Sequence, residues 1–132
     1  MSDCVFCEII DGGVSSHVVY EDERVIAFLD ANPASRGHTL VVPKQHVEDI
    51  HGARGMEYLW DVLVAVSDAV DESLDPAGIN IAQNNGVAAG QEVFHLHFHV
   101  TPIYDGDELR VSYDRSDLVD GEDVANLISS NI

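Results

Sequence analysis

Apolar residues recur along this chain at two different periods, and the periods predict its elements. Over residues 56–74, Leu59, Leu63, Val66, Val70 and Leu74 are spaced by three and four, with Glu57, Asp61, Asp68 and Asp71 off that stripe. That is the signature of an amphipathic helix, which Asp75-Pro76 should end, and Trp60 and Val62 widen its apolar face. Elsewhere the apolar runs are short and β-rich. Residues 17–20 and 25–29, separated by the charged segment 21–24, read as a hairpin. A turn-rich loop over 30–37 leads into a third strand at 38–43. Residues 78–83 form a fourth strand, 84–91 a glycine-bearing loop, and 94–102 the last strong strand. A helical turn is expected at 6–10, stopped by Gly12-Gly13, and one further helix at 120–129. The predicted class is α+β: an antiparallel sheet of about five strands with one long helix and one or two short ones.

Neither repeat nor linker interrupts residues 1–132, so a single domain is expected, with an acidic tail from about residue 105. Composition then narrows the partners. The chain has 24 Asp+Glu against 6 Lys+Arg and a net charge of −18, yet 45% of it is apolar, enough for a real core. Lys44 is its single lysine. Such a surface cannot supply the clustered cations that nucleic acid or an anionic lipid face requires. Self-repulsion of this size is screened by molar salt, and the Asp-rich, Lys-poor balance is that of a cytosolic protein from a halophilic archaeon, with an ordinary acidic protein as the alternative. No apolar run approaches the roughly 20 residues of a membrane span, and the start lacks a signal peptide's basic and apolar regions, so a cytoplasmic location is expected. In that compartment Cys4-Val5-Phe6-Cys7 reads as a metal or redox pair.

Three of the seven histidines fall together, in Phe94-His95-Leu96-His97-Phe98-His99-Val100. On a strand, period two would put His95, His97 and His99 on one face with imidazoles roughly 6–7 Å apart, and Leu96, Phe98 and Val100 on the core face. A row of imidazoles is too polar for core without partners. One neutral ring in such a row can attack phosphorus while its neighbours orient it or hold phosphate oxygens.

His95-Leu96-His97-Phe98-His99-Val100 resembles the HxHxHφ signature (φ apolar) of the histidine triad (HIT) nucleotide hydrolases. The likeness runs from Cys4 to about Tyr104. It includes Cys4-Val5-Phe6-Cys7-Glu8-Ile9-Ile10, Phe28-Leu29-Asp30, Gly37-His38-Thr39-Leu40-Val41-Val42-Pro43-Lys44-Gln45-His46 and Gly90-Gln91-Glu92-Val93-Phe94.

The resemblance implies a HIT-like fold and a set of roles. His97 would be the nucleophile toward the α-phosphorus, oriented by the carbonyl of His95, with His99 and His38 on the phosphate. Asp30 resembles the ribose-binding acid, although a turn-forming Asp is an equal reading of the residue itself. Asn84, Gly90 and Gln91 would belong to a phosphate cradle built from loop N–H groups. Phe28 and Ala31 would flank the base, positions that serve equally as core. Glu92 stands where phosphoramidate-cleaving members often carry a serine, which leaves the leaving group open. The resemblance also adds His46 and His95 to Cys4 and Cys7 as a structural Cys₂His₂ zinc site, against two cysteines that bind nothing. It implies a homodimer through the long helix and a strand edge.

The function implied is hydrolysis of a purine nucleoside 5′-phosphoramidate or an aminoacyl or other nucleotidyl adenylate, through a nucleotidyl-histidine, releasing AMP. A diadenosine polyphosphate hydrolase and a nucleotide-binding regulatory module without turnover are the alternatives.

Overall fold

Alternation in one strand supplies both cores. In β2 (Val25–Leu29), Val25 and Ala27 face one way and Ile26 and Phe28 the other, and all four are buried. The structure, a computed structural model, describes residues 3–109, 113 and 120–132. β1 (Val18–Glu21) pairs with β2 across a turn that Asp22 builds, its Oδ1 accepting the N–H groups of Arg24 and Val25 at 2.7 and 2.8 Å. β3 (Thr39–Pro43) follows, buried along its whole length. β4 (Gly78–Ala82) and β5 (Phe98–Ile103) complete a five-stranded antiparallel sheet in the order β1-β2-β3-β5-β4.

The long helix, α2 (Tyr58–Leu74), lays Leu59, Val62, Leu63 and Val66 over Val25, Ala27, Val41, Leu96 and Val100. It stops where Asp75 turns left-handed, at φ 48°, ahead of Pro76. Trp60 does not join the buried stripe: it is 66% exposed, on the solvent side of the helix. The short α1 (Val5–Ile10) covers the opposite face of the sheet, where Phe6 packs with Ile26, Phe28, Leu40 and Val42. Cys4 caps it, its Sγ accepting the N–H of Cys7 at 3.3 Å. α3 (Gly121–Ser129), capped by Asp120, confirms the expected C-terminal helix and buries no residue. Much of the acidic tail expected from residue 105 lies outside the described residues. Among the described residues no helix is long and apolar enough to cross a membrane.

One element differs in its bounds. The last strand begins at Phe98, so His95 and His97 precede it, although the two expected faces hold. The ladder with β3 ends at the pair Val41–Phe98, close to Pro43, which has no N–H to extend it. Upstream, the N–H of Leu96 donates to the carbonyl of Val47 at 2.7 Å instead. The chain bends there, yet the alternation persists: Leu96 and Val100 enter the α2 core with Phe98 packed against it, and His95, His97 and His99 turn toward the α1 side.

Candidate active site

The bend gives His95 two partners. Its Nε2 lies 2.7 Å from the carbonyl of Pro43, which can only accept, so Nε2 carries the proton and Nδ1 keeps its lone pair. That Nδ1 sits 3.3 Å from Cys4 Sγ, 3.5 Å from Cys7 Sγ and 3.0 Å from His46 Nδ1, and Cys7 Sγ is 3.4 Å from His46 Nδ1. A tetrahedral zinc site has ligand–ligand edges of roughly 3.3–3.8 Å, given Zn–N of about 2.0–2.1 Å and Zn–S of about 2.3 Å. The four residues that the resemblance grouped therefore converge, the three sulfur–nitrogen edges within that range and the His46–His95 edge shorter, with the far nitrogen of His95 held by a carbonyl, as metal-ligating histidines require.

His97 lies on the same side of the sheet, toward α1. Its ring meets Phe6 edge-on, centroids 5.0 Å apart, and only 8% of the residue is exposed. His97 Nδ1 is 2.7 Å from the carbonyl of His95, which holds a proton on Nδ1, so in the neutral ring the lone pair is on Nε2. His38 and His99 form a second relay. The N–H of Ala34 donates to His38 Nδ1 at 3.0 Å, which commits the proton to Nε2. That Nε2–H donates to His99 Nδ1 at 2.9 Å, with Asp30 Oδ2 3.6 Å away, and leaves His99 with its proton on Nε2. Asp30, His38 and His99 have the donor types for a metal, but the Ala34 contact leaves His38 Nε2 without a lone pair to give.

Burial keeps this relay uncharged. Desolvation, reinforced by the neighbouring His97 and His38 and opposed by Asp30, pushes His99 down to about 4. Desolvation also lowers His38, against the pull of Asp30, and His95, against its hydrogen bond to Pro43.

His38, His97, His99, Asp30, Ala31, Asn84, Gly90 and Glu92 all line one cavity of about 850 Å³. Phe6, Ile9, Val14, Phe28, Leu40 and Val93 give it apolar walls. Gly90 belongs there for a backbone reason, since it sits at φ 94° and a Cβ would press on Asn84 Nδ2 at 3.4 Å. Gln91 is buried outside the cavity. Its amide donates to the carbonyls of Glu48 and Val93 and accepts the N–H of Gly86, at 2.7, 3.1 and 2.8 Å. The N–H groups of Gly86, Ala89, Gly90 and Gln91 are likewise used inside the turn. The cradle expected from loop amides thus reduces, in this region, to the Asn84 side chain and the histidines.

Sequence reading missed Ser15, Ser16 and His17, which line the same cavity. The turn after α1 brings them there: the N–H groups of Gly13 and Val14 both donate to the carbonyl of Glu8. Gly12-Gly13 signalled that turn, and nothing local signalled its direction.

Comparison with known proteins agrees with this architecture. The family model for the HIT domain matches residues 12–106. The chain is 46% identical to a HIT-like protein of Methanocaldococcus jannaschii over 92% of this chain and 95% of that one. It is 35% identical to the adenylylsulfatase HINT3 of Arabidopsis thaliana, over 84% of this chain and 57% of that protein. A zinc-bound histidine triad protein from Mycobacterium smegmatis superposes with a TM-score of 0.72 at 38% identity, over 97% of each chain. Family model, relatives and fold agree: this chain belongs to the HIT family.

Proposed function

We propose that this protein is a nucleotide-binding hydrolase that cleaves a purine nucleoside 5′-phosphoramidate or a related adenylate at the α-phosphorus and releases AMP. The observation that carries the reading is the tautomer of His97. Its Nδ1–H is held by the His95 carbonyl, so the neutral ring presents the Nε2 lone pair as nucleophile in a cavity shared with a donor from His99.

In the first step His97 Nε2 attacks phosphorus. The P–N bond breaks toward the amine, which takes a proton from water at the cavity mouth, and a nucleotidyl-histidine forms. The His95 carbonyl stabilises the charge that develops on the ring, and His99 Nε2–H and Asn84 donate to phosphoryl oxygens. Water then attacks phosphorus, gives up a proton to solvent and displaces the neutral ring. The purine packs among Ile9, Val14, Phe28 and Leu40, and Asp30 Oδ2 accepts from the ribose; its Oδ1 already takes the N–H of Asn32 at 2.9 Å.

Cys4, Cys7, His46 and His95 would hold zinc. With four protein ligands the ion supplies a cross-link and no open position for chemistry. Residues 1–132 act as one domain, cytoplasmic, and two copies pair through exposed Trp60 and Val64 on α2 and the open edge of β4. The zinc-bound relative and the adenylylsulfatase support the metal and the hydrolytic chemistry.

The test is release of AMP from adenosine 5′-phosphoramidate. His97→Ala should abolish it while AMP still binds by calorimetry. Equal, slow release by wild type and variant would leave a binding module without turnover.

A further inference from the structure

A cavity built to take a phosphoryl group should carry cations, yet among the described residues no lysine or arginine lines this one, and its described carboxylates are Asp30 and Glu92. The described cations are engaged elsewhere: Lys44 pairs with Glu21 at 2.7 Å, and Arg24 lies over the Tyr58 ring at 4.2 Å. Arg36 and Arg54 border two other clefts. His38 and His99, lowered by burial, add no positive charge near neutral pH. Among the described residues the phosphoryl charge meets no lysine or arginine, and any further negative charge on a substrate meets the carboxylates of Asp30 and Glu92.

The two carboxylates differ. Asp30 is committed to Asn32 and His38. Glu92 is exposed, makes no ion pair among the described residues, and lies with Val5 and Val93 where the cavity opens into a second cleft, the one lined by Asp3, His46 and Glu48. With the base assigned to the apolar walls and the ribose to Asp30, the opening beside Glu92, shared with the second cleft, is left for the group leaving phosphorus.

Building on the hydrolase reading above, we propose that Glu92 selects the leaving group by charge: the site favours nucleotidyl substrates that release an amine, above all one bearing a second, cationic ammonium, and disfavours anionic leaving groups such as sulfate or polyphosphate. An elementary charge within roughly 10 Å of another, part-screened by water and salt, changes relative rates several-fold. The relative named as an adenylylsulfatase would then differ from this chain in its preferred leaving group.

Three adenylates sharing one nucleotide test this: the phosphoramidate of a neutral alkylamine, that of a diamine whose far end is an ammonium, and adenylyl sulfate. Intrinsic reactivities cancel when kcat/KM ratios are compared between proteins. In Glu92→Gln the ammonium-to-neutral ratio should fall roughly three- to tenfold and the sulfate-to-neutral ratio should rise by a similar factor, with Glu92→Lys shifting both further. Unchanged ratios in both variants would overturn the proposal while leaving hydrolysis by His97 intact. Absence of turnover on all three would instead defeat the hydrolase reading. The charge selection is then read from the calorimetric Kd ratio of AMP to ADP, which Glu92→Gln should lower for ADP relative to AMP; no change there overturns it.

Discussion

The carbonyl of His95 lies 2.7 Å from Nδ1 of His97, and the side chain of that same His95 closes the Cys4–Cys7–His46 cluster. One fully buried residue therefore belongs to two sites at once. Its ring is fixed on one side by the cluster and on the other by the Pro43 carbonyl, and its backbone sets the tautomer of the proposed nucleophile.

Loosening the cluster should therefore reach His97 without touching the cavity. We expect His46→Ala, or removal of metal by a chelator, to lower kcat about tenfold or more with KM changed much less. The melting temperature should fall too, since the cluster ties the segment before α1 to the buried bend. A nitrogen-resolved NMR spectrum separates the two effects: the His97 Nδ1–H signal should weaken or shift in the variant at a temperature where it is still folded. An unaltered His97 signal would mean that the cluster contributes stability alone.

The histidine relay predicts a dependence on acid. His99 is held near 4 in the folded chain against an ordinary value of 6.5. Between those values the unfolded chain binds more protons, so the stability contributed by His99 is fully present above pH 6.5 and is lost as pH falls toward 4. His38, also lowered, acts in the same direction. Because other groups titrate too, the measurement is a difference: denaturant midpoints of wild type and His99→Gln compared from pH 7 to 4. The wild type should lose more stability over that interval than the variant.

Much of the architecture was legible because it depends on local alternation. The two faces of β2, the stripe of α2 and the hairpin at Asp22 each follow from residues within a few positions of one another. The misread parts depend on partners far along the chain. His95 left the strand because Pro43, 52 residues away, offers a carbonyl and no N–H. Gln91 left the phosphate cradle because the carbonyl of Glu48, 43 residues away, takes its amide. Trp60 extended an apolar pattern but lies outside the arc that meets the sheet. The Cys4–Cys7 spacing announced a metal or redox pair, while its histidines came from the family resemblance, since spacing carries no information about ligands so distant.

Gly37 illustrates how the loop before β3 serves the relay. It sits at φ 94°, and a Cβ there would run into the end of the Leu74 side chain from α2. Leu74 can move, so the strain is chiefly in the backbone. Gly37→Ala should cost about 1–2 kcal/mol by chemical denaturation. Because the next residue is His38, the variant should also lose activity beyond its stability loss. A folded variant with wild-type turnover would show that His38 is positioned from the Ala34 side alone.

Charge makes the last prediction. With a net charge of −18 and a cavity whose described lining carries the carboxylates of Asp30 and Glu92 and no lysine or arginine, dilute buffer penalises both the fold and the approach of a nucleotide. Screening shortens from about 10 Å at 0.1 M salt to about 3 Å at 1 M. The melting temperature should rise between low and molar KCl, and KM for an anionic nucleotide should fall with it. Screening acts mostly below about 1 M, whereas general salting-out keeps growing with concentration, so the curve's shape separates the causes. A rise concentrated in the first molar identifies repulsion as what is relieved; a flat or falling profile would show that the acidic surface is not a response to salt.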